Sequence, residues 1–168
     1  MLKGIIFDMD GVLINSEPVH YRIWKEALLT RGIEFDYEVY KPCSGSTLGF
    51  LMNLLHETYG IDREDKALVD TMKKIKAETV EREGIPMIEG VPQLLERLKN
   101  AGYKMAIASS SPLSYIQMVT KRLNIRNYFD KILSGENVKH PKPAPDVFLA
   151  AAEVLELYVS ECLVVEDS

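Results

Sequence analysis

The stretch Ile5-Ile6-Phe7-Asp8-Met9-Asp10-Gly11-Val12 decides how the rest of the chain is read. An apolar run that begins at Leu2 has the character of a buried strand and stops at two carboxylates one residue apart. Strand side chains alternate between faces, so Asp8 and Asp10 are expected to point the same way while Met9 points back into the core. Gly11 lets the backbone turn sharply afterwards. Two acids side by side at the end of a buried strand repel each other and are poorly solvated, which packing alone does not justify. A divalent cation and a phosphoryl group would account for them.

Outward from that stretch, 168 residues suit one domain, or a small core with an inserted module, and can bury a real hydrophobic centre. With 46% hydrophobic and 27% charged residues the chain has ordinary globular composition, which argues against disorder. A net charge of −5, with no basic stripe interleaved with aromatics, argues against a nucleic-acid binder. Met1 runs almost directly into the first strand, leaving no room for a cleavable signal. No apolar run approaches the ~20 residues that span a bilayer. A cytoplasmic monomer without a membrane partner is expected. Cys43 and Cys162 lie far apart in different kinds of segment and read as free thiols.

Between the first strand and Gly84 the pattern is helical. Ser16 and Pro18 read as cap and first turn of a helix whose inner face carries Trp24, Ala27 and Leu28. A looser segment from Glu34 to Thr47 follows. Leu51, Leu54, Leu55 and Tyr59 then repeat at helical spacing up to Gly60, and from Asp62 to Glu83 a charged helix carries the thin stripe Leu68, Met72, Ile75 and Thr79. Residues 16–83 therefore read as a helical module inserted into a core of residues 1–15 and 84–168. In that core helices alternate with strands. A helix from Val91 to Ala101 precedes a strand from Tyr103 to Ala108. Ser111-Pro112 starts the next helix, a short strand spans Lys131 to Leu133, and a helix from Pro145 to Leu157 leads to a strand from Leu163 to Val165. This alternation predicts an α/β fold with a Rossmann-like parallel sheet. The chain stops just after Glu166-Asp167, so a fragment, or a chain whose remainder is supplied elsewhere, is expected.

Functional groups of open parallel sheets gather beyond the carboxyl ends of the strands. Four segments deliver polar side chains there: Asp8 and Asp10, Ser109 with Ser110, Lys142, and Glu166 with Asp167. Hard carboxylate oxygens suit Mg²⁺. A serine hydroxyl and backbone N–H groups at a helix start suit a phosphoryl oxygen. A lysine offsets the charge of the acids and of the anion they receive. A calcium-binding EF-hand does not explain the first motif, because counting from Asp8 puts Leu13 where its glycine belongs and Val19 where its glutamate belongs.

The segments FDMDGV, IASSS, KPAPD and VVEDS resemble the four motifs of the haloacid dehalogenase superfamily, and the helical insertion resembles its mobile cap. The resemblance spans essentially the whole chain, except that the helix and strands the family has after its fourth motif are missing. It implies that Asp8 is a nucleophile that becomes a phosphoaspartate, with Asp10 as general acid and then base. It also implies that Asp8, the main-chain carbonyl of Asp10, Asp167 and Glu166 hold Mg²⁺, and that Ser109, Ser110 and Lys142 hold the phosphoryl group. His20 and the loop residues Gly45, Ser46 and Thr47 are the candidate substrate-facing residues of the cap.

The cap and the KPAPD segment resemble both sugar-phosphate phosphatases and β-phosphoglucomutases. Gly45 stands where a phosphate-binding arginine of the mutases is expected, and Ser111-Pro112-Leu113 where they carry lysine and asparagine. A phosphatase of small phosphorylated metabolites, hexose phosphates foremost, is the expectation. A phosphosugar mutase is the alternative, followed by an inactive or partner-dependent phospholigand-binding fragment.

Overall fold

The computed structural model describes residues 1–43 and 46–167. The chain divides into two compact units, one of residues 1–15 with 86–168 and one of residues 16–85. The second junction falls two residues later than the pattern suggests. Gly84 still belongs to the preceding helix as its cap, its N–H donating to Val80 O, whereas the Pro86 carbonyl accepts from Asn15 N–H in the first unit.

The first unit is built on four parallel strands, β1 (Gly4–Phe7), β2 (Lys104–Ser109), β3 (Lys131–Ser134) and β4 (Cys162–Val165), in the order β3-β2-β1-β4. Its helices α5 (Val91–Asn100), α6 (Leu113–Arg122) and α7 (Asp146–Val154) connect them. Ile6, Ala106 and Ala108 share a face with period two and pack against Val147, Ala151 and Ala152 of α7. Alanines on both sides leave room for that helix to lie close to the sheet. Phe7 meets Phe129 edge-on, ring centroids 6.1 Å apart. The edge strand β4 is less covered: Leu163 is 49% exposed and Val164 40%.

The chain runs from β1 outward through β2 to β3 and then returns to place β4 on the other side of β1. The strand order therefore changes direction between β1 and β4, the place where open parallel sheets gather functional groups beyond their carboxyl ends. The register Phe7↔Val165 makes Asp8 and Glu166 the next residues on adjacent strands.

The second unit comprises α1 (Glu17–Leu29), the single turn α2 (Tyr37–Tyr40), α3 (Leu48–Tyr59) and α4 (Lys66–Glu83). Trp24, Ala27, Leu28, Phe35, Tyr40, Leu51, Met52, Leu55 and Leu68 form its core. Thr47 caps α3 by accepting from Phe50 N–H, and Asp65 caps α4 by accepting from Leu68 N–H at 2.9 Å, so α4 starts after Asp65 rather than at Asp62. The part of the Glu34–Thr47 segment from Glu34 to Cys43 is more ordered than its composition suggests. Asp36 caps α2, and Tyr40 and Phe35 turn inward against Tyr21.

Two expected caps do not operate. Ser16 sits at the start of α1 with a helical backbone and makes no side-chain cap bond. Pro112, not Ser111, takes the cap position of α6. Cys43 and Cys162 are free thiols. Among the described residues no helix is long and apolar enough to cross a membrane.

Candidate active site

Beyond Phe7 the backbone turns tightly. Met9 is fully buried, and its carbonyl accepts from both Leu13 N–H and Ile14 N–H. Gly11 takes φ 75°, a left-handed conformation that glycine adopts without penalty. A Cβ there would also fall on the Asp167 carboxylate. The glycine thus serves the turn and gives room to an acid from the far end of the sequence.

Asp8 is 7% exposed and is anchored to β4 by its N–H, which donates to Val165 O at 2.9 Å. Lys142 Nζ lies 2.9 Å from Asp8 Oδ1 and 2.9 Å from Glu166 Oε1, and its cation stands 4.6 Å from the Phe148 ring centroid. Burial pushes the Asp8 carboxyl above its ordinary range, while the hydrogen bond and charge of Lys142 pull it back. The lysine is presented by a stiff loop. Pro141, Pro143 and Pro145 restrict its backbone, Ala144 N–H donates to Pro141 O, and His140 N–H and its ring nitrogen both meet Asp146 Oδ1. Lys139 is exposed, so of the two lysines Lys142 is the one that reaches the acids.

Asp8, Glu166 and Asp167 can each offer an oxygen within 4.8 Å of the others. The Asp10 side chain is not in that group. Its Oδ2 instead accepts from the Ser111 hydroxyl at 3.1 Å, and its Oδ1 is buried with no hydrogen-bond partner among the described residues. Ser109, at the end of β2, is 1% exposed, and its oxygen accepts from Ser111 N–H at 3.1 Å. That leaves its own proton for another acceptor. Ser110 beside it is exposed.

In the helical unit His20 is half-buried on α1. Ser46 and Thr47 are exposed and locally engaged, Ser46 donating to Cys43 O and Thr47 capping α3. Gly45 lies outside the described residues. The residue that sequence reasoning missed is Ser111. Read as a helix cap before proline, it is instead directed at Asp10, and nothing local in the sequence distinguishes the two uses.

Comparisons with known proteins give the family and the fold. The fructose-1-phosphate phosphatase YqaB of Escherichia coli (strain K12) is 30% identical over 167 residues, covering 98% of this chain and 86% of that protein. A phosphorylated carbohydrates phosphatase of Thermotoga maritima is 28% identical over 99% of this chain and 77% of its own length. Among solved structures, one described as "putative beta-phosphoglucomutase from Thermotoga maritima" superposes with a TM-score of 0.83 at 26% identity, covering 99% of this chain and 77% of that one. The family model described as haloacid dehalogenase-like hydrolase matches residues 5–168. With a parallel sheet, an acid-lined strand end and a family match over nearly its whole length, the chain belongs to the haloacid dehalogenase-like hydrolases and is an enzyme.

Proposed function

We propose that the protein is a Mg²⁺-dependent phosphatase of small phosphorylated sugars that works through a phosphoaspartate on Asp8. The observation that carries the reading is the convergence at one sheet edge of a buried carboxylate, a lysine 2.9 Å from it, and two further acids within 4.8 Å. The relatives named as phosphatases of phosphorylated sugars support the substrate class.

The residues present fit a hard divalent cation. Asp8, Glu166 and Asp167 offer only oxygen donors, and Gly11 leaves the space that the Asp167 carboxylate fills. The Asp10 main-chain carbonyl completes the proposed set. Bound there, Mg²⁺ would offset the charge of the phosphoryl oxygens and screen the acids from one another.

The chain's own residues then divide the chemistry. An Asp8 oxygen attacks phosphorus while the ester P–O bond breaks, and Asp10 gives its proton to the departing alkoxide. Water next attacks the phosphoaspartate, its proton passing to Asp10, and the Asp8–phosphorus bond breaks to release phosphate. The orphaned Asp10 Oδ1 supports this role, since a buried carboxylate oxygen without a partner costs about 1–3 kcal/mol unless a function retains it. Lys142 and the Ser109 hydroxyl would hold the transferring group, with Ser110 beside them supplying backbone contact.

A phosphosugar mutase is the second reading, favoured by the likeness to the Thermotoga structure. Incubating the protein with Mg²⁺ and either hexose 6-phosphates or β-glucose 1-phosphate primed with a trace of the bisphosphate separates the two. Release of inorganic phosphate supports the phosphatase, accumulation of glucose 6-phosphate supports the mutase, and inertness in both assays overturns the proposal.

Gly11→Ala tests the metal set. The new methyl group displaces the Asp167 carboxylate and strains the turn, so the Mg²⁺ concentration for half-saturation is expected to rise about 10-fold, in calorimetric titration and in activity.

A further inference from the structure

Resting on the reading of Asp10 as the proton-transfer group, we infer that Ser111 is its positioning residue. Ser111 is tied at three points. Its N–H donates to Ser109 Oγ at 3.1 Å, its carbonyl accepts from the Ser134 hydroxyl at 2.8 Å, and its own hydroxyl donates to Asp10 Oδ2 at 3.1 Å. The two backbone bonds fix where the hydroxyl stands. They bind Ser111 to the ends of β2 and β3, which are paired in the sheet. Ser134 is 3% exposed, so this support is sheltered from water.

An ionised carboxylate can only accept, and the hydroxyl occupies Oδ2. Oδ1 has no hydrogen-bond partner among the described residues, so the orientation of the whole carboxylate rests on the bond from Ser111. The link at 3.1 Å is longer than the tightest charge-assisted bonds, so it restrains the carboxylate without locking it. The sheet edge thereby holds the Asp10 carboxylate in one orientation while the phosphoryl group is transferred from the substrate.

Leaving-group dependence of kcat/KM tests the inference. This ratio reports the steps through phosphorylation of Asp8. A sugar phosphate expels a basic alkoxide that needs a proton, whereas p-nitrophenyl phosphate expels a stable phenolate that does not. Ser111→Ala keeps both backbone bonds and removes only the hydroxyl. It is expected to lower kcat/KM for the sugar phosphate about 10-fold and for p-nitrophenyl phosphate less than about 3-fold. Ser111→Thr, which restores the donor, should recover the loss. Ser111→Cys, similar in volume but a weak donor, should repeat the alanine pattern and guards against misfolding of the alanine variant. Equal losses on both substrates, or none, overturn the role of Ser111. Asp10→Asn is run in parallel: if it shows no preference between leaving groups, the proton-transfer reading of Asp10 fails first and takes the inference with it.

Discussion

Asp8→Asn is expected to abolish turnover, with a loss of at least about 10⁴-fold in kcat, because an amide oxygen at this position cannot open the covalent route. The substitution keeps shape and volume. The fold should survive it, since Asp8 meets β4 through its backbone N–H rather than its side chain. Circular dichroism should therefore match the parent protein while phosphate release disappears. In the parent, beryllium fluoride with Mg²⁺ should inhibit by occupying Asp8 as a mimic of the acyl phosphate, and the variant should not bind it. Retained activity in Asp8→Asn would overturn the nucleophile assignment outright.

Replacing Lys142 by Met should have the next largest effect. Its ammonium lies 2.9 Å from the acids that directly follow β1 and β4, and its side chain is 16% exposed, so its charge is only weakly screened. Methionine fills similar space and can keep the contact with Phe148, but it leaves Asp8 facing Glu166 without compensation. A fall of about 10²- to 10³-fold in kcat is expected, the magnitude typical of losing one preorganised electrostatic contact to a transferring group. Lys142→Arg should recover little of it, because a planar fork does not replace a compact ammonium that touches two acids beyond separate strands. A second measurement isolates the electrostatic cause. The melting temperature of Lys142→Met should fall more in a chelator than in excess Mg²⁺, since the cation can relieve the exposed repulsion. Equal losses in both buffers would point to packing instead.

The parts of this site that local pattern reveals and those it hides differ in kind. Asp8 and Asp10 are legible because four buried apolar residues end abruptly in paired acids, a contrast held within eight positions. The parallel sheet is legible because strand and helix periods alternate. What local pattern hides is which partner a polar side chain chooses when several are available. Ser111 before Pro112 carries every sign of a helix cap, yet its hydroxyl crosses to Asp10 in the turn beyond β1. Gly11 is visible as a turn residue, but its second duty toward Asp167 exists only once β4 lies beside β1. Similarly, the tyrosines of the Glu34–Thr47 segment give no helical period over so short a stretch. They are ordered by rings from other parts of the helical unit, Tyr21 packing against Phe35, Tyr37 and Tyr40.

The short ladder between the first and last strands also bears on how the enzyme comes into being and how it fails. Four paired residues per strand, joined in parallel and distant in sequence, must close a very large loop before they gain any contact energy. The helices can draw on near neighbours, whereas Asp8 and the acids opposite it meet only where β1 and β4 are paired. In rising denaturant, catalytic competence is thus expected to vanish ahead of the far-ultraviolet helix signal.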